Sequence, residues 1–452
     1  MTTPDRLYFF NSALPVGDTA HDVLRSMGPS HKSVRGQNLG NTYITYGLIQ
    51  ALFGVPVRVP NLSNAWEDPL TGRLADEINE KYSHFIFVLQ DFIRDDLIHL
   101  PFDRITNFLT RIRLPIVPVS LGANSFTGFD VALARRLSGP QKRFLATLAD
   151  QSKRIGIRGE YTAEILSALG IANFDVIGCP SYYACGPLRR IERKAWHPHG
   201  VITTGTFFNR YLPQSPHLLQ DELYFINRLY LGVDGAGAES NVTGTPFNLS
   251  EPTTSLHFLQ KAIEGRLEFF SDLHQWAAFW KRPHHCLTIG TRLHSAIFSI
   301  NSGVPGVVTN PDARARETCE FLRIPYDSGL SARSDIARVH DTLDLDLLNA
   351  AYPDRYAGFT RFLSAHGLHV GRAPEDAPLL QFPRFERRTD PAIQPELHAA
   401  CTDLLDALAG EMIALEAFGG DKALRGRRLF RRLKARYPDM TLAQFFAGLT
   451  RD

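Results

Sequence analysis

Arg292 and His294 are the two residues whose types and spacing best suit chemistry, because of the segment that carries them. The stretch His285-Cys286-Leu287-Thr288-Ile289-Gly290-Thr291-Arg292-Leu293-His294-Ser295-Ala296 reads as a buried strand, a glycine turn and the opening of a helix. The first N–H groups of a helix have no intrahelical acceptor. A phosphate or carboxylate can take them, and Arg292 adds a two-pronged charged contact. His294 stands two residues on, where an imidazole can give or take a proton near neutral pH. The pattern describes an anion site with a proton donor beside it. The competing reading is structural, since an Arg or His at a helix start also serves as a cap or a surface contact.

Stepping outward, Ser295 to Ile300 continues as a helix and closes at Asn301-Ser302-Gly303, after which Val304 to Thr309 reads as the next buried strand. One strand–turn–helix–strand unit therefore holds the pair. Apolar runs such as Phe85-Ile86-Phe87-Val88-Leu89 and Pro115-Ile116-Val117-Pro118-Val119-Ser120-Leu121 lie between helical patterns, as expected for parallel strands covered on both faces. The fold class that follows is α/β, with two Rossmann-like doubly wound domains. We place an N-terminal α/β domain at 1–190, a C-terminal α/β domain carrying the anion site at 191–335, and a helical C-terminal extension at 336–452. The charged, Pro-containing stretch 189–198 suits a linker, and 232–252, rich in Gly, Ser, Asn and Thr, suits a mobile loop.

The chain has 452 residues, 44% of them hydrophobic and 21% charged, which is too long for one small core and ordinary for a globular protein. A net charge of +2 gives no global electrostatic case for nucleic-acid binding, so an anionic ligand must be met locally. Five cysteines in scattered positions offer neither a disulfide framework nor a second pair at zinc-ligand spacing, and read as free thiols. His284 and His285 lack a carboxylate or Cys pair at ligand spacing, so no metal site is expected. The first residues lack the features of a secretory signal and no apolar stretch reaches the roughly 20 residues of a membrane span, which points to a cytoplasmic protein. The sequon Asn241-Val242-Thr243 matters only outside that compartment. Near the C-terminus, the basic segment from Lys422 to Arg436 carries apolar residues at helical intervals. It suits peripheral contact with acidic headgroups at the inner membrane face, or equally a solvated basic face whose Phe430, Leu433 and Tyr437 pack on the protein.

The run Gly290-Thr291-Arg292-Leu293-His294, then Gly303-Val304-Pro305, Asp312-Ala313-Arg314-Ala315-Arg316-Glu317 and Phe321-Leu322-Arg323-Ile324-Pro325, resembles the C-terminal half of polysaccharide pyruvyl transferases. Upstream, Ile155-Gly156-Ile157-Arg158-Gly159-Glu160-Tyr161-Thr162 is similar to the family's strand–Arg–helix element, and Asp175-Val176-Ile177-Gly178-Cys179-Pro180 to the strand and turn after it. Gly36-Gln37-Asn38-Leu39-Gly40-Asn41 resembles the family's Gly-Asn-x-Gly-Asp turn, with Asn41 where an Asp is usual, and Gln90-Asp91 stands where a glycine pair is expected.

The resemblance implies a GT-B-like pair of domains and transfer of the pyruvyl group of phosphoenolpyruvate onto sugar hydroxyls, making a pyruvate ketal with no cofactor and no metal. The acceptor would be a glycan or a lipid-linked oligosaccharide. Within that reading, Gly290, Thr291, Arg292 and Leu293 bind the donor, with Arg158, also placed where a strand gives way to a helix, as a second anion ligand or equally a partner in an interdomain salt bridge. His294 is the candidate acid and Asp91 an alternative base for the acceptor hydroxyl. Asn38 and Asn41 are candidate acceptor ligands, though Asn at such a turn also caps helices. A sugar-nucleotide glycosyltransferase of the same frame, or a glycan-binding scaffold without catalysis, are the alternatives.

Overall fold

Alternation along the first strands decides where the core forms. In the computed structural model, Leu7, Phe9, Ile86, Val88, Val117 and Val119 enter one apolar cluster, while Tyr8, Phe10, Phe85, Phe87 and Ile116 enter another on the opposite face. Successive side chains of a strand point to opposite faces, so one sheet is covered twice. The structure describes residues 6–11, 39–54, 62–63, 70–96, 101–125, 128–205, 207, 209, 211–212, 214–219, 266–269, 273–331 and 333–371. Asn38, the 232–252 stretch and the basic segment 422–436 lie outside the described residues.

In chain order the first half contributes β1 (Leu7–Phe10), α1 (Leu39–Phe53), β2 (Leu62–Ser63), α2 (Gly72–Lys81), β3 (His84–Val88), α3 (Phe102–Leu109) and β4 (Ile116–Val119). It continues with α4 (Leu133–Arg136), α5 (Gly139–Gln151), β5 (Ile155–Ile157), α6 (Glu160–Ala168), β6 (Phe174–Val176) and a 3₁₀ turn at Pro180–Tyr183. The second half supplies β7 (Val201–Thr204), β8 (His217–Leu219), β9 (Leu267–Phe269), α7 (Leu273–Trp280), β10 (Leu287–Gly290), α8 (Leu293–Asn301), β11 (Gly306–Thr309), α9 (Ala313–Leu322) and β12 (Tyr326–Asp327). Helices α10 (Ile336–Thr342) and α11 (Leu345–Ala365) follow. The protein is thus α/β, and its strand pairs are parallel.

The strand order is β2-β1-β3-β4 in the first sheet, and single bridges Ile116↔Ser152 and Leu121↔Ile157 carry it on to the β5–β6 pair. The second sheet runs β12-β11-β10-β7-β8-β9. Each order reverses once, between β1 and β3 and between β7 and β10. Parallel sheets bind ligands in the crevice at the C-terminal ends of strands flanking such a reversal.

Helix α1 is buried along nearly its whole length, because the first sheet covers one side and the 3₁₀ turn and α8 cover the other. Gly47 permits the approach: a Cβ there would lie 2.2 Å from the Pro180 carbonyl oxygen. Tyr43 packs its ring, tilted by 49°, against Phe298 at 4.5 Å between centroids, and Asn301 Nδ2 donates to its hydroxyl at 2.7 Å. Among the described residues no helix is long and apolar enough to cross a membrane, and the four described cysteines are free and buried.

After the second sheet the chain returns to the first. Phe362 of α11 lies over Gly156 of β5, and the His366 ring meets the Arg154 carbonyl at 3.0 Å. The His366 carbonyl pairs with His84 Nε2 at 3.1 Å, and Gly371 N–H donates to Ala51 O at 3.0 Å.

Candidate active site

The glycines of the second reversal point are where the local backbone departs from L-residue geometry. Gly205, after β7, has φ +67°, and a Cβ there would lie 2.1 Å from Thr291 Oγ1; Gly290, ending β10, has φ +156°, and its Cβ would lie 2.0 Å from Thr204 O. Only glycine allows both strand ends to close on each other. Arg292 then becomes the N-cap of α8 in extended conformation, with no side chain of its own capping the first turn. Leu293 and His294 follow in that turn, Leu293 buried and His294 half-buried.

Arg158 arrives from the other sheet, at the end of β5, only 1% exposed. Its Nε donates to both the carbonyl and the hydroxyl of Ser120 at 3.1 Å. Ser120 holds φ +66°, an uncommon backbone state for a residue with a side chain. Nη1 and Nη2 of Arg158 are buried without a hydrogen-bond partner. Burial works against the Arg158 charge and lowers its pKa, with Arg314 pushing the same way and Cys179, Asp91 and Glu317 pulling against it. A guanidinium with two orphaned, desolvated nitrogens is costly unless an anion meets it.

Gly122 marks how close the arginines come, since a Cβ there would touch Arg158 Cδ at 3.0 Å and Arg314 Cγ at 3.4 Å. Arg314, early in α9, pairs with Asp91 at 3.0 Å, and Arg94 holds the same Asp91 oxygen at 2.8 Å. Burial pushes the Asp91 carboxyl upward, but the two arginines outweigh it and hold it down at about 2. A carboxylate so held is a feeble base at neutral pH and acts here as the counter-ion of Arg314.

His294 sits inside this positive field. Burial, then Arg158, Arg314 and Arg292, depress its pKa well below the ordinary histidine value. Its Nε2 lies 3.6 Å from Cys179 Sγ. The site therefore holds a neutral imidazole amid guanidinium groups from both sheets, an arrangement suited to a multiply charged anion, whose charge would favour protonation of the ring.

Helix α9 ties the halves together around the arginines. Asp312 caps it through Ala315 N–H at 2.7 Å and accepts from Asn124 Nδ2 at 3.1 Å. Glu317, 2% exposed, accepts from the Thr162 N–H at 2.8 Å and from its hydroxyl at 2.7 Å, which occupies the start of α6. Burial raises the Glu317 carboxyl to about 8, against the pull of Thr162 and Arg158.

The structure thus gathers Gly290, Thr291, Arg292, Leu293, His294 and Arg158, with Asp91 reaching the group through Arg314. Asn41 lies in the first turn of α1, half-buried. His285 packs its ring against Phe279 at 4.5 Å, and burial lowers its pKa to about 4. Ser120, Gly122, Cys179 and Glu317 had no place among the sequence candidates. The Gly178-Cys179-Pro180 turn was visible as a motif, but its target 115 residues away was not.

The family model for polysaccharide pyruvyl transferase matches residues 38–312, more than half of the chain and inclusive of β5, Arg158 and the Gly290–His294 turn. The chain belongs to this family. No curated protein matches it by sequence. Among solved structures, the crystal structure of HepE from Anabaena in complex with UDP is similar over 79% of this chain and 94% of that one, at 12% identity and a TM-score of 0.34. A superposition that loose transfers neither ligand nor activity.

Proposed function

We propose that this polysaccharide pyruvyl transferase family member moves the pyruvyl group of phosphoenolpyruvate onto two hydroxyls of a glycan, forming a cyclic ketal in the crevice of a GT-B-like domain pair. One observation carries the reading: the buried, unpartnered Nη1 and Nη2 of Arg158, set beside Arg314 and facing the field around His294. Arg158, Arg292 and the opening of α8 meet the donor's carboxylate and phosphate. The donor's charge offsets the guanidinium groups, so His294 takes up a proton.

His294 then delivers that proton to the methylene carbon, and the cation that develops at the adjacent carbon is attacked by the first hydroxyl. The proton lost from that hydroxyl returns to the ring. The second hydroxyl closes the ketal as the bond from carbon to phosphate oxygen breaks, and its proton leaves with inorganic phosphate. Atoms and charge balance with no oxidant and no water. Burial of the site suppresses hydrolysis of the cationic intermediate.

The test is a pair of measurements on the full chain. Phosphoenolpyruvate should raise the melting temperature through mass action. Mass spectrometry of a glycan panel incubated with it should find a product heavier by one pyruvyl ketal, with phosphate released. A melting shift from a nucleotide-sugar and none from phosphoenolpyruvate would turn the reading to glycosyl transfer.

A further inference from the structure

Cys179 follows β6 and lies at 0% exposure beneath the opening of α8. Its Sγ is 3.6 Å from His294 Nε2 and 3.0 Å from Ser181 Oγ. Neither end of this contact is loose. Gly178 turns the chain at φ +73°, where a Cβ would come 2.6 Å from Leu322 Cδ2, and Pro180 begins the 3₁₀ turn. Ser181 O accepts from Asn301 Nδ2 at 2.8 Å. The Cys179–Ser181 segment therefore grips α8 at both ends, at His294 and two turns later at Asn301, and the imidazole is held relative to its own helix.

We propose that Cys179 is a positioning residue for the candidate acid His294, engaging Nε2 so that Nδ1 is the nitrogen that exchanges a proton with the donor. The inference rests on the reading of His294 in the previous subsection. A carboxylate in the place of Cys179 would also orient the ring, as carboxylates do for many catalytic histidines. Here it would compete with the donor for Arg158, Arg292 and Arg314, the charged groups that act on this ring. A thiol, a weaker acceptor than a carboxylate, fixes the ring and its tautomer while leaving those cations to the ligand. Ser181 completes the chain: with the thiol donating to the Ser181 hydroxyl, the sulfur accepts from Nε2–H, which leaves Nδ1 to take up and give back the proton.

The experiment compares Cys179→Ala and Cys179→Ser with the wild type in the full chain, using phosphoenolpyruvate and a glycan found to accept. Cys179→Ala should lower kcat roughly tenfold, short of the 10²–10⁴-fold contribution of a general acid itself, with KM for phosphoenolpyruvate within about twofold and a displaced limb in the kcat–pH profile. Cys179→Ser should recover most of kcat. Nitrogen-15 spectra of labelled histidine, with His294 assigned by its loss in His294→Gln, should show the His294 Nε2 signal move in Cys179→Ala and return toward wild type in Cys179→Ser.

An unchanged kcat, pH profile and ring signal in Cys179→Ala would overturn the proposal. So would a loss of kcat that tracks a lowered melting temperature while the His294 signals stay in place, because that is a packing role. A wild type that neither binds nor turns over phosphoenolpyruvate overturns the functional reading, and the ring signals then decide the Cys179–His294 contact by themselves.

Discussion

Arg158 shows how a binding residue can work against the fold that holds it. Its Nη atoms find no partner in the protein, so Arg158→Met, which keeps much of the volume, should raise the melting temperature of the ligand-free chain while abolishing the shift given by phosphoenolpyruvate. Scanning calorimetry with and without the donor checks this; a variant that melts lower yet keeps the donor shift would contradict it. His294 makes a second expectation. Burial and the arginines keep the ring neutral, and an anion among them reverses that bias, so donor binding near pH 7 should take up as much as about one proton. Titration calorimetry in two buffers of different ionisation enthalpy measures the uptake, and it should vanish in His294→Gln. Equal heats in both buffers would remove the idea. The Gly290–His294 run was legible in the sequence because a strand, a turn and a helix opening are local patterns. Ser120, which holds Arg158 from 38 residues away, left no local signal at all.

At the scale of elements, the glycine turns decide whether strand ends can close over a ligand. Gly290 combines φ +156° with a Cβ position 2.0 Å from Thr204 O, whereas Gly170 at φ +81° has open space around it. Gly290→Ala should cost about 2–4 kcal/mol, backbone strain plus a displaced strand, and Gly170→Ala about 1–2 kcal/mol, strain alone. Urea melts of both variants give the comparison, and equal losses would mean that the contact with Thr204 relaxes freely. The strands themselves were readable from apolar runs such as Phe85 to Leu89, since strands buried on both faces need no polar alternation. Their order was not. Nothing in the run Leu287–Gly290 says that it lies against β7, and that adjacency creates the reversal point where Arg292 sits.

For the molecule as a whole, α9 makes the two halves answer to pH through Glu317. Its carboxyl is raised to about 8 in the folded chain from an ordinary value of 4.5. A raised pKa means that the folded state binds the proton more tightly. This contribution to stability is therefore complete below about 4.5 and is lost as pH rises through about 8. Glu317→Gln imitates the protonated group, so it should melt near wild type at pH 6 and lose less stability between pH 6 and 9. Parallel curves for the two proteins would refute the assignment. The pairing of Glu317 with Thr162 spans 155 residues, and the acidic-basic run at 312–317 gave no local sign of it. The return of α11 to the first sheet was equally silent, because Phe362, His366 and Gly371 look like any amphipathic helix and its end. That return carries a consequence for synthesis. A ribosome that has made the first six strands has not yet made the residues that cover Gly156 and pair with His84 and Arg154. Those strands must wait, partly uncovered, for nearly two hundred further residues to emerge. The nascent chain therefore completes its first-made sheet with some of the last residues described, and a chaperone that shields that face during the wait should raise the yield of native protein.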